Sequence, residues 1–234
     1  MLDVQHLSVS YGITQVLRDV SFSVREGTVV ALLGGNGSGK STLLNALSGL
    51  IAPKSGSVQF LGQETVGLGT HEMVRRGIVQ VPQGREVFAD MSVGDNLELG
   101  AATRTNMKEI RKDIGAIFEL FPVLHDRRTR AAGSLSGGEQ TQLSIGRALM
   151  SRAKLLLMDE PSVGLSPRMV DAVIDAILRL RERGLTILLV EQNVGVAAAV
   201  AEQAYVLKDG VIAYAGRAKE LINNAEVLAS YLGR

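Results

Sequence analysis

The chain of 234 residues contains no cysteine, which excludes a disulfide scaffold, a thiolate zinc site and a cysteine nucleophile. An excess of charge is also missing: 25 Lys and Arg face 24 Asp and Glu, a formal net charge of +1. Such a balance makes no long-range field for a phosphate backbone, so nucleic acid is not an expected partner. Long apolar runs are absent. The longest are strand-sized, such as 155–158 and 185–190, well short of the roughly 20 residues a spanning helix needs. Asp3, Gln5 and His6 interrupt any apolar start, so neither a signal peptide nor direct membrane insertion is expected. There is no repeat, no low-complexity segment and no Pro-rich linker. What remains is a chain with 46% hydrophobic residues, enough to bury one large domain or one domain with a lobe.

Segments 2–9 and 16–24 alternate loosely, as strands about a turn at Tyr11 and Gly12. An unbroken apolar run at 28–33 suits a strand covered on both faces, as in a parallel sheet. A glycine-rich loop follows, then Leu43, Leu44, Leu47 and Leu50 at helical spacing, and another short strand at 77–82. From about Val93 to Met150 the character is helical, and Ile110, Ile114, Ile117, Phe118 and Phe121 make one apolar stripe. Buried strands return at 155–158 and 185–190, separated by a helix marked by Val170, Val173, Ile174 and Ile177. Lys208-Asp209-Gly210 signals a hairpin, and a short helical tail closes the chain. Helical residues set between two halves of an α/β pattern predict a core carrying an inserted lobe. The boundaries drawn are a core of 1–88 and 151–234 with a lobe of 89–150.

Gly34-Gly35-Asn36-Gly37-Ser38-Gly39-Lys40-Ser41 matches G-x-x-x-x-G-K-[ST], after a strand and opening a helix, and Thr42 continues it. Glycines let backbone N–H groups converge on phosphate oxygens, and the helix start adds its positive end. Lys40 supplies a charge for the β- and γ-phosphates of ATP, and Ser41 a hydroxyl for Mg²⁺. Downstream, four apolar residues at 155–158 run into Asp159 and Glu160. Carboxylates there stand at the carboxyl end of a parallel strand, where open α/β sheets bind ligands. Asp159 is assigned to Mg²⁺, and Glu160 to orienting and deprotonating the attacking water.

Leu135-Ser136-Gly137-Gly138-Glu139-Gln140 narrows the possibilities. It resembles the signature motif of ATP-binding-cassette (ABC) proteins, and the resemblance covers essentially the whole chain. The fold implied is a P-loop NTPase core with a parallel sheet, an antiparallel β subdomain and a helical lobe. In that family Ser136, Gly137, Gly138 and Glu139 correspond to a clamp closing on the γ-phosphate held by another subunit. Tyr11 resembles the aromatic that stacks on adenine, and Gln83 the glutamine that reaches Mg²⁺ and the water. Residues 162–167 resemble the loop that crosses to the second subunit.

Val81-Pro-Gln-Gly-Arg-Glu-Val-Phe88, Ile145-Gly-Arg-Ala-Leu-Met150 and Leu189-Val-Glu-Gln-Asn193 look like ATP-binding subunits of branched-chain amino acid importers. The urea importer subunits look similar. In that subfamily glutamine, here Gln192, replaces the usual switch histidine, which implies a neutral γ-phosphate sensor beside Glu160. Gln83, where many branched-chain members carry glutamate, leaves the urea-type reading open. Thr141, where glutamine is usual, lies past the phosphate contacts and is expected to matter little.

The resemblance implies transmembrane permease subunits as partners, docked near the segment after Gln83. It also implies a second cassette, a paralogue by preference, and a peripheral place on the cytoplasmic face of the membrane. Chromosome and DNA-repair relatives carry coiled-coil insertions, and no heptad run exists here. Translation-factor relatives hold two cassettes in one chain. A small-molecule phosphotransferase has no use for a second γ-phosphate clamp. His6, His71 and His125 are scattered, so no metal site is assigned to them. Arg127, Arg128 and Arg130 read as a solvated face.

Overall fold

A computed structural model describes residues 1–84 and 86–222. Its order begins β1 (Leu2–Tyr11), β2 (Thr14–Val24), β3 (Val29–Leu33), α1 (Lys40–Leu47), β4 (Ser55–Phe60), β5 (Gln63–Glu64), α2 (Thr70–Arg76) and β6 (Ile78–Val81). The helices α3 (Val93–Gly100), α4 (Met107–Leu120), α5 (Pro122–Asp126) and α6 (Gly137–Leu149) follow. The chain then runs through β7 (Leu155–Asp159), α7 (Pro167–Glu182), β8 (Thr186–Glu191), α8 (Val194–Val200), β9 (Gln203–Lys208), β10 (Val211–Arg217) and α9 (Ala218–Ile222).

Two sheets form. One has the order β2-β1-β4-β5 and is antiparallel throughout. The other has the order β10-β9-β3-β8-β7-β6, parallel except for β10, which returns antiparallel to β9 through the Asp209–Gly210 turn. In the parallel strands nearly every residue is apolar, yet period two still operates. Ala31, Leu156, Met158, Ile187 and Leu189 face the side packed by α3 to α8. Leu32, Leu155, Leu157, Leu188 and Val190 face α1 and the antiparallel sheet. Unbroken hydrophobicity therefore reports cover on both faces. Replacing Leu157, fully buried, by Ala would cost about 2–5 kcal/mol through lost transfer energy and the cavity left behind.

The helix after the glycine loop ends at Leu47, and Leu50 lies beyond it, largely exposed, so the leucine spacing overran the helix by one member. The α4 stripe behaves as read: Ile110 and Ile117 are buried, with Ile114 and Phe118 packed against the same core. That core runs without a break from the helices between β6 and β7 onto the sheet face. Of the tail, only the helix α9 lies among the described residues. Among the described residues no helix is long and apolar enough to cross a membrane.

Candidate active site

The site forms where β3, β6, β7 and β8 end, since a parallel sheet gathers its carboxyl-end loops on one edge. From β3 the chain turns through Gly34–Gly39 into α1. Gly39 is the residue before the helix, with φ of 107°, and a Cβ there would lie 2.7 Å from the Leu17 side chain. Both the left-handed backbone and the space admit only glycine. Lys40 is buried, and its ammonium donates to the carbonyls of Gly34 (2.9 Å) and Gly35 (3.0 Å). Its third neighbour is Glu160 Oε1, at 3.1 Å. Glu160 Oε2 in turn accepts from Gln83 Nε2 at 3.1 Å. Residues expected to act on phosphate, water and Mg²⁺ are thus brought from three strand ends into one hydrogen-bonded chain.

Glu160 has φ of 47°, a left-handed backbone that is unfavourable for glutamate by about 1–3 kcal/mol. Its N–H is held by the Val190 carbonyl at 2.9 Å, which fixes the carboxylate over the loop. The Ser41 hydroxyl lies beside the Asp159 carboxyl group, whose Oδ1 is buried with no partner. Burial raises the Asp159 carboxyl above its ordinary range, the Glu160 charge pushes the same way, and Ser41 and Lys40 oppose both. A buried, unpartnered carboxylate oxygen beside a hydroxyl fits a hard divalent cation that keeps waters and phosphates as its other ligands. Ser38 Oγ, also buried and unpaired, lies in the loop that would wrap the phosphates.

Two cavities meet here. One of about 330 Å³ is lined by Asn36, Gly37, Gly39, Lys40, Ser41 and Thr42; the other, of about 460 Å³, by Asp159, Thr141, Ser144 and Val163. Gln83 and Glu160 line both and divide them. Thr141 therefore lies closer to the chemistry than its place past the signature suggested. It is buried, and its hydroxyl donates to the Gly137 carbonyl at 3.1 Å.

Ser136, Gly137, Gly138 and Glu139 line neither cavity. They open α6 with a capping box, in which Glu139 accepts from the Ser136 N–H at 2.8 Å. Gly138 has a reason within the chain: a Cβ there would lie 2.0 Å from Met169 Cε and 2.9 Å from Met169 Cβ of α7. Arg127, read as solvated, instead pairs with Glu139 Oε1 at 3.3 Å. Tyr11 is half exposed at the tip of the β1–β2 hairpin and lines neither cavity. Gln192 is exposed just past β8 and lines neither cavity.

Sequence reasoning gave no separate task to Glu191, the last residue of β8 and fully buried. Its Oε1 accepts from the Ser162 N–H (3.2 Å) and its Oε2 from the Asn193 N–H (3.3 Å). The Ser162 hydroxyl and the Gln192 N–H lie against it as well. Burial raises its carboxyl above the usual range, and these polar neighbours only partly offset that. The signal that could have found it is an acid closing an apolar strand, as Asp159 does.

The sequence pattern of the ABC transporter family matches residues 17–163. The high-affinity branched-chain amino acid transport ATP-binding protein BraG of Pseudomonas aeruginosa is 44% identical over 233 residues, covering 100% of both chains. A probable branched-chain amino acid transport ATP-binding protein, LivF of Archaeoglobus fulgidus, is 40% identical, covering 96% of this chain and 95% of its own. Among solved structures, the ADP conformation of an ABC transporter's ATP-binding cassette superposes with a TM-score of 0.89 at 29% identity, over 100% of this chain and 99% of that one. A phosphate loop, a strand-end acid pair and a signature helix on one framework thus coincide with a match to more than half of the chain, and the protein belongs to the ABC transporter family.

Proposed function

We propose that the chain is the ATP-hydrolysing subunit of a branched-chain amino acid importer. The observation that carries this reading is the Lys40–Glu160–Gln83 chain beside the phosphate loop, in a sequence that matches two branched-chain amino acid transport proteins end to end. ATP binding needs the converging N–H groups of 34–39 and the Lys40 charge, which must leave its carbonyls and Glu160 to reach a phosphate. Glu160, released from Lys40, takes the proton of the attacking water, while the Gln83 amide fixes its orientation. Ser41 and Asp159 would hold Mg²⁺, which would neutralise phosphate charge.

Ser136 and the first turn of α6 lie outside the cavities, which accords with a clamp offered to a second, paralogous cassette. Residues 89–150 act as the lobe that carries this clamp. Permease subunits dock on the apolar groove of about 440 Å³ lined by Phe88, Leu99 and Arg147, next to the segment after Gln83. Arg147 lies over the Phe88 ring at 5.1 Å. The assembly places the chain on the cytoplasmic face of the membrane, with no residue inserted.

The test is reconstitution with the permease subunits in proteoliposomes, measuring ATP-dependent uptake of labelled leucine and of urea. Leucine uptake that Glu160→Gln abolishes is the expected result. Uptake of urea alone would overturn the substrate assignment.

A further inference from the structure

Glu191 is the buried acid that the hydrolytic scheme leaves unused. It is fully buried at the end of β8, and its two oxygens face two different loops. Oε1 takes the backbone N–H of Ser162, at the start of the segment after the catalytic Glu160, together with contact to the Ser162 hydroxyl. Oε2 takes the N–H of Asn193, and the Gln192 N–H lies against the same carboxyl group. Asn193 is fixed in turn, because its Oδ1 accepts from Gly195 (2.9 Å) and Val196 (3.3 Å) and caps α8. An ionised carboxylate is the one side chain with two oxygens that both only accept, so it can hold N–H groups from two loops at once. Unpaired in such a place it would be costly, so the loops and the acid hold one another.

We propose that Glu191 is a positioning residue that locks the 162–166 loop to the Gln192–Asn193 turn, so that the two loops move as one unit. The first loop leads away from Glu160 into α7, and the second carries Gln192. If the turn swings toward a bound nucleotide, the shared carboxyl group draws Ser162 with it. A displacement of the 162–166 loop by a second subunit reaches Gln192 by the same two bonds. This inference rests on the reading of the chain as an ATPase with Glu160 as base.

The test uses the full-length chain, alone for ATP binding and assembled with its permeases and a partner cassette whose own base is disabled. Glu191→Gln keeps the shape but sets an amide N–H against backbone N–H donors. Because a small misplacement of reacting groups can cost about 10–100-fold, kcat is expected to fall by that factor while KM and the ATP affinity stay within about twofold. Glu191→Gln added to Gln192→Ala is expected to cost nothing beyond the loss from Gln192→Ala alone, since coupled positions are non-additive. Wild-type kcat in a folded Glu191→Gln protein, or losses that multiply independently, would overturn the lock.

If Glu191→Gln does not fold, amide exchange on the unaltered chain decides. Protection of Ser162, Gln192 and Asn193 that changes together on adding ATP supports the lock, and separate changes overturn it. Failure of the parent reading looks different: Glu160→Gln would then hydrolyse ATP at the wild-type rate.

Discussion

Lys40 Nζ lies 3.1 Å from Glu160 Oε1, and both side chains are more than nine-tenths buried. The cation that the phosphate loop offers to nucleotide is thus neutralised by the acid that is to activate water. An ammonium has three donors, and Lys40 spends them on Gly34, Gly35 and Glu160. In the proposed scheme a phosphate replaces these partners and so frees Glu160 to act as the base.

Glu160→Gln should therefore nearly abolish turnover without weakening ATP binding. The amide can still accept a hydrogen bond from water but is a poor base. Because it also holds Lys40 less strongly, affinity should be equal or tighter. Equilibrium binding and steady-state hydrolysis by the assembled protein check this. Rapid hydrolysis removes Glu160 from the base role.

Lys40→Ala should lose both affinity and stability. Affinity falls by roughly 10–100-fold, the worth of a charge-assisted hydrogen bond. Stability falls by up to about 3–5 kcal/mol, because Glu160 is left buried without its counter-charge. The double variant Lys40→Ala, Glu160→Gln should recover much of the melting temperature but none of the affinity. If it melts as low as Lys40→Ala alone, the ion pair is not what holds these residues.

Ser136→Arg should leave ATP affinity of the isolated chain unchanged and block hydrolysis by the assembled protein. The residue is exposed and lines neither cavity, as the proposed clamp on a nucleotide held by a second cassette needs. Loss of affinity in the isolated chain would mean that the signature acts on its own nucleotide.

Gln192→Ala, measured in the assembled transporter with the partner's base disabled, should lower turnover by about 10²–10³-fold if the amide donates to the γ-phosphate. Wild-type turnover at saturating ATP would leave Gln192 idle on the surface.

Glu191→Gln should change how stability depends on pH. Burial raises the folded carboxyl above the ordinary 4.5, so the folded state binds the proton more readily than the unfolded chain. The stability this contributes is complete below 4.5 and is lost as pH rises through the folded value. The melting-temperature advantage of the wild-type chain over Glu191→Gln should shrink across that window. A constant difference would contradict the raised value.

The sequence by itself determined the chemistry wherever one local pattern carried it. Glycines at 34–39 ahead of Lys40 and Ser41, and an apolar strand ending in Asp159 and Glu160, need only chain-neighbour physics: backbone freedom, a helix start and a strand end. The same locality made the two-sided sheet legible, since unbroken apolar runs leave no face for water. Other features belong to distant parts of the chain and were settled only by the fold. The contacts of Glu160 with Lys40 and Gln83 need β3, β7 and β6 in one sheet, with β8 set between β3 and β7. The need for glycine at 138 comes from Met169 on another helix, and the pairing of Arg127 with Glu139 from the approach of α5 to α6. Glu191 is the sharpest case, because a glutamate at a strand end reads as solvated until Ser162 and Asn193 close over it. Periodicity fixes which face a residue occupies, but burial of a charge depends on what the rest of the chain brings to it.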